Sequence, residues 1–242
     1  MKKIFLSTIT AFTLTTFLTL ETKAQTSGVN AHTNVNEAIN GKVSKALDNR
    51  YAGVTGSPYW FKQWLPGEVK FQDTSLRLEK GPIKYDPFSS VVLLKSSSKD
   101  STVFDGNTIE EFTLFSNDGT GNLKFRRFPN LKFEDTNLKN TFFQVLQEGN
   151  TLVLKNIKKS LVRADFKGGY SANRTTDEIT SENQYFLLKP DQTLIKVKLN
   201  RKGMMNALAD KESSVTEFVK KEKLSLQSEE DLKKVVAFYN SI

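Results

Sequence analysis

The chain has no cysteine and a single histidine, His32, among its 242 residues. The first absence removes disulfides, thiol catalysis and cysteine–zinc sites together. The second removes every multi-histidine metal centre and leaves a Ser-His-Asp triad without a base, because His32 lies in an N-terminal stretch that reads as a tail. Neither a metal site nor a cofactor is expected. No internal repeat at a solenoid period is present, and no linker divides the chain.

The first residues point to export. Lys2 and Lys3 form a positive n-region, and Ile4 to Leu20 is apolar but interrupted by serine and threonine. Thr22-Lys23-Ala24 then places small residues where a signal peptidase reads. The expectation is a signal peptide over residues 1–24, and no transmembrane segment after its cleavage. The product is exported, periplasmic or extracellular, and about 218 residues long, enough to bury roughly 70% of its unfolded surface without staples. The net charge is +8, of which about +6 survives cleavage. That balance favours an anionic envelope component or a glycan as partner, and export argues against nucleic acid.

Residues 25–55 hold few large apolar side chains and read as a flexible leader with one weak helix. From Gly56 the pattern changes. Val69 and Phe71 alternate with Glu68 and Lys70; Leu76-Arg77-Leu78-Glu79, Ile83/Tyr85 and Val91–Leu94 follow after turns at Asp73-Thr74, Gly81-Pro82 and Asp86-Pro87. Alternation of period two with frequent turn signals predicts antiparallel strands, each pairing with its neighbour along the chain. Three hairpins follow: Phe112–Phe115 with Leu123–Arg126, Phe142–Leu146 with Leu152–Lys155, and Tyr185–Leu188 with Thr193–Lys198. Leu161-Val162 reads as a further short strand and Gly168–Asn183 as a long polar loop.

After Asn200 the period becomes helical. Met204–Ala209 reads as a short helix. Ser214 to Glu217 fits a capping box ahead of Phe218 and Val219, and Ser228 to Asp231 repeats the device ahead of Leu232, Val235, Val236 and Tyr239. The expected fold is mainly β: an antiparallel meander forming a sandwich or barrel-like body, with two or three C-terminal helices (α+β). It is a single domain over residues 56–242 with its helical segment at 203–242.

The entry GSPYWFKQWLPGEVKFQD, the segment PIKYDPFSSVVLL, the hairpin FFQVLQEGNTLVLKN, the strand ENQYFLLK and the ending LKKVVAFYNSI carry a resemblance. On them the chain resembles a group of uncharacterised exported proteins of Bacteroidetes-type bacteria, over most of Gly56–Ile242. The resemblance implies a β-rich body with C-terminal helices. It implies no reaction, so no catalytic residue is transferred.

Ser96-Ser97-Ser98-Lys99 has serine–lysine spacing, but it sits in a polar loop where water keeps the lysine protonated. Asn117 to Asn122 offers oxygen ligands, yet lacks a closing glutamate, and Asp118-Gly119 is a hairpin turn. Glu110 and Glu111, adjacent on a strand, point to opposite faces. Asp177, Glu178 and Glu182 lie on the polar loop beside Tyr170 and Arg174, where binding residues gather. Trp60 and Trp64, even-spaced, would share one face of a regular strand and stack on a sugar if exposed. The ligand-binding candidates are Trp60, Trp64, Tyr170 and Arg174, with no catalytic residue. The expected function is an exported, non-catalytic envelope protein that binds an unidentified ligand; the alternative is a hydrolase of envelope or extracellular glycans working through the loop carboxylates. An outer-membrane barrel needs longer strands and no helical ending.

Overall fold

A computed structural model describes residues 51–73, 79–95, 101–116, 121–133, 135–164 and 176–242. The expected signal and most of the expected leader, Leu76–Leu78, the Ser96–Lys99 tetrapeptide, residues 117–120, and both Tyr170 and Arg174 lie outside the described residues. Eleven strands form one sheet: β1 (Thr55–Gly56), β2 (Leu65–Phe71), β3 (Glu79–Asp86), β4 (Val91–Lys95), β5 (Ser101–Asp105), β6 (Ile109–Phe115), β7 (Asn122–Arg126), β8 (Phe143–Gln147), β9 (Leu152–Val162), β10 (Glu178–Leu188) and β11 (Leu194–Val197). The order is β5-β4-β3-β2-β6-β7-β8-β9-β10, with β11 and the parallel β1 both on β10. The fold is thus mainly β, from β2 onward a meander broken once where β6 returns beside β2, and the sheet is not closed into a barrel.

That one break bends the first half of the sheet. Laid flat at about 4.8 Å per strand, β5 and β6 would stand ~19 Å apart with β4, β3 and β2 between them. Only Gly106–Thr108 connect them, and so short a connection spans at most ~14 Å. The strands must curl, and the inner face of the curl holds an aromatic core. Phe71 of β2 lies against Phe104 of β5 across it, with ring centres 5.1 Å apart. Phe125 stacks on Phe112 at 4.6 Å and meets Trp60 at 4.8 Å. Tyr85 is 1% exposed among Phe112, Phe125 and Phe142, and burial drives its phenol far above its ordinary pKa.

The second half buries its surface differently. Val153, Tyr185, Leu187 and Val197 face three helices: α1 (Arg201–Ala207), α2 (Glu212–Lys221) and α3 (Glu229–Ser241). Leu154, Phe186, Leu188 and Leu194 face the opposite side, under the Phe128–Leu138 excursion. Leu194 therefore packs away from Ile195 and Val197, which resolves its odd place in the apolar pattern. In α3, Leu232, Val235, Val236 and Tyr239 are all buried, and Ser228 caps the helix by accepting from Asp231 N at 3.0 Å. Lys155 and Tyr185 both bind the Glu229 carboxylate at the start of α3, at 2.8 and 3.1 Å, and burial beside that carboxylate pushes the Tyr185 phenol up to about 12.

Three expectations change. Ser214 is not a cap: α2 starts earlier, at Glu212, and its N-cap Lys211 makes no side-chain capping bond. Leu161-Val162 is not a separate strand but the end of β9, and β10 takes up the loop from Glu178, because residues 156–162 and 178–184 pair with each other in continuous register. Trp60 and Trp64 do not share a face, because the chain over 58–63 runs as bends rather than strand.

Candidate functional site

The seam between the two halves holds a cavity of about 630 Å3, within the range of about 300–1,000 Å3 common for small-molecule sites. The first half contributes the β3–β4 turn from Pro87 to Val91, with Asp105 and Asn107 after β5; the second contributes residues 135–141 and the Asn156–Lys159 stretch of β9. Strand β8 pairs with β9 only as far as Lys155. Beyond it, among the described residues, β9 turns that edge to the cavity rather than to a strand.

Each wall is set by a short local device. In the β3–β4 turn the buried Asp86 accepts from Phe88 N at 2.9 Å, Ser89 N at 3.1 Å, Ser89 Oγ at 2.6 Å and Tyr51 Oη at 2.7 Å. That carboxylate holds the turn and ties it to the chain's entry, so Tyr51, expected in the leader, belongs to the folded body. Ser90 has φ 56°, a left-handed conformation costly for a side-chain-bearing residue. Its carbonyl receives Gly106 N at 3.2 Å, and a Cβ on Gly106 would stand 2.8 Å from that oxygen.

The other two walls repeat one motif. Asp105 accepts from Asn107 N at 2.8 Å and Asp135 from Asn137 N at 3.0 Å, each capping a short 3-10 helix. Behind Asn107 stands the buried Arg127, whose Nη1 donates to Asn107 Oδ1 at 2.8 Å. Burial lowers its pKa, with Asp105 opposing the shift. Lys159 donates to Ser181 Oγ at 2.8 Å, and burial lowers its pKa against the pull of Asp86. Asn156 is the telling residue. It is 4% exposed, lines the cavity, and its amide makes no hydrogen bond to any described residue. An amide without a protein partner on a cavity wall is a group available to a ligand.

The sequence-derived candidates fall elsewhere. Trp60, half-buried, packs on Tyr85 and Phe125 against the curled core. Trp64 lies on the outer face with Tyr59, Val91, Leu93 and Val103. There Lys84 Nζ sits 3.9 Å over the Tyr59 ring and 5.6 Å over Trp64, and Lys95 Nζ 5.4 Å over Trp64, in cation–π range.

No protein-family model, curated protein or solved structure matches this chain.

The acids do not converge. Asp177 caps Ala164 N at 2.8 Å. Glu178 and Glu182, four residues apart on β10, stand ~13 Å apart along the strand. Glu110 and Glu111 are held by different cations, Lys70 and Arg126, each at 2.8 Å. The basic residues are equally dispersed: Arg126 serves Glu111 and Glu148, Arg127 is buried, and Lys155 belongs to Glu229. Among the described residues there is no cluster of histidine, aspartate and glutamate able to hold a metal ion, and no helix long and apolar enough to cross a membrane.

Proposed function

We propose that this protein is an exported, non-catalytic binding module of the cell envelope and that the seam cavity holds its ligand. The observation that carries the reading is the Asn156 amide, on the wall of the cavity and without a side-chain hydrogen bond to a described residue, beside Asp105 and Asp135 carboxylates committed to capping. A hydrolase needs an acid and a base free to exchange protons with a substrate. Here Asp105 and Asp135 act as caps, and Asp86 is enclosed by four donors. The alternative, glycan hydrolysis through Asp177, Glu178 and Glu182, is weakened by their spread. Paired glycosidase carboxylates stand about 5–9.5 Å apart, less than the reach from Glu178 to Glu182.

Export rests on the sequence of residues 1–24 and on the resemblance to exported proteins. Expressing the full chain with its own N-terminus and measuring the secreted mass tests it: the expected product starts at Gln25, and a retained Met1 would overturn that part of the reading. The binding role is tested by thermal shift of the exported chain against envelope glycans, lipids and small anions, in parallel with Asn156→Leu. A stabilisation present in the parent and absent in the variant is expected. No shift across the panel, or one that survives the substitution, contradicts the cavity as the site.

A further inference from the structure

We infer that the cavity takes a neutral, polyhydroxylated ligand, an oligosaccharide of two or three units, rather than an anion. The inference rests on the binding role proposed above and goes on to name the ligand class.

The chain as a whole is basic, +8, and by charge alone an anion would be the expected guest. The cavity does not share that excess. On its lining Lys158 and Lys159 stand against Asp105 and Asp135, two cations facing two carboxylates. The local balance is close to zero, and an anion entering would meet Asp105 and Asp135 on the rim.

The hydrogen-bonding inventory separates the two ligand classes further. A phosphate, sulfate or carboxylate only accepts, so its site is built of donors: arginine, lysine, backbone N–H. A sugar hydroxyl both donates and accepts, so its site mixes the two. This wall is mixed. The Asn156 and Asn140 amides offer a donor and an acceptor each and make no side-chain hydrogen bond to a described residue, while Lys158 has no ion pair among them. Asn107 Oδ1 is taken by Arg127, which fixes the amide with its nitrogen free. Asp105 and Asp135 keep oxygen lone pairs beyond those used in capping. Phe88, half-buried on the cavity wall and braced edge-on by Tyr51 at 6.0 Å, supplies the one aromatic surface a sugar ring needs. The volume of about 630 Å3 leaves room for more than one ring.

Titration calorimetry on the exported chain decides the matter with three neutral trisaccharides (maltotriose, laminaritriose and chitotriose), trigalacturonate and inorganic phosphate. At least one neutral trisaccharide is expected to bind. Its affinity should change less than about twofold between about 50 and 500 mM salt, since no net charge is neutralised. Asn156→Leu should weaken it at least about tenfold, because a buried partner is lost; Lys158→Met should weaken it less than about threefold. Asn140→Ala, at the exposed rim, gives an independent loss should Asn156→Leu unfold. Salt-sensitive binding of trigalacturonate or phosphate alone, abolished by Lys158→Met, would overturn the ligand class while leaving the cavity as the site. Binding indifferent to Asn156 and Asn140, or none of any probe, would overturn the inference and the binding role together.

Discussion

The two halves of one sheet solve the same burial problem in different ways. In β2 to β7 no helix among the described residues packs on the sheet, which curls and fills its own concave face with rings: Phe71, Tyr85, Phe104, Phe112, Phe125 and Phe142. In β8 to β11 the sheet is covered, by three helices on one face and by the Phe128–Leu138 excursion on the other. A curled sheet has a mouth and a covered sheet has edges. The cavity forms where the mouth of the first, marked by the Asp86–Val91 turn, meets the uncovered edge of β9 in the second. The polar seam, not either apolar core, is the part of the molecule proposed here as a binding site.

The largest effects are expected in the two cores. Phe125→Ala removes a ring that is 0% exposed and touches Trp60, Tyr85 and Phe112, and should cost about 3–5 kcal/mol in urea unfolding. Leu232→Ala, 0% exposed under the helices, should cost about 2–5 kcal/mol. If the halves are one cooperative unit, both substitutions lower the same transition; two separable transitions would show that the halves fold independently. Next comes the junction that forces the curl. A Cβ on Gly67 would stand 2.3 Å from Thr113 O of β6 and 2.8 Å from Ile83. Gly67→Ala should therefore cost about 2–3 kcal/mol by pushing β2 from β6, and an unchanged midpoint would show that the sheet relaxes there.

Smaller effects belong to the covered half. Ser228→Ala deletes the α3 cap and should cost about 1 kcal/mol, with the loss confined to the helical signal by hydrogen exchange. Acid sensitivity should also concentrate there. The Lys189 ammonium and the Tyr239 hydroxyl hold the Asp210 carboxyl below its ordinary range, and Ser225 and its neighbours do the same for Asp231. A carboxyl depressed by folding stabilises above its ordinary pKa near about 4, and that contribution disappears as pH falls through the folded value. Between about pH 5 and 3 the melting temperature of the parent should fall more steeply than that of Asp210→Asn; parallel curves would remove Asp210 from the account.

How much of this the sequence disclosed follows from what kind of signal each feature carries. The hairpins around 116–122, 147–151 and 189–193 and helix α3 were legible because period and turn chemistry are local. The length of β9 and the start of β10 were not. Their outer residues are polar, and only mutual pairing makes them strand. Trp60 and Trp64 were misplaced relative to each other because a bend leaves no mark in an aromatic run. The cavity was the least legible, since its walls come from four segments far apart in sequence and Asn156 sits unremarkably in a strand. One clue was present: Asp105-Gly106-Asn107 and Asp135-Thr136-Asn137 repeat the same Asp-x-Asn capping pattern.

The central claim, that the seam between the halves is the binding site, is tested most directly by amide-resolved NMR. The chain, labelled with nitrogen-15, is titrated with the neutral trisaccharides. The account predicts shifts in the Asn156 side-chain amide and in the backbone of Phe88–Ser90 and Asn137–Thr141, with the Trp64 indole unmoved. Shifts centred on Trp64 and Tyr59, with Asn156 silent, would contradict it.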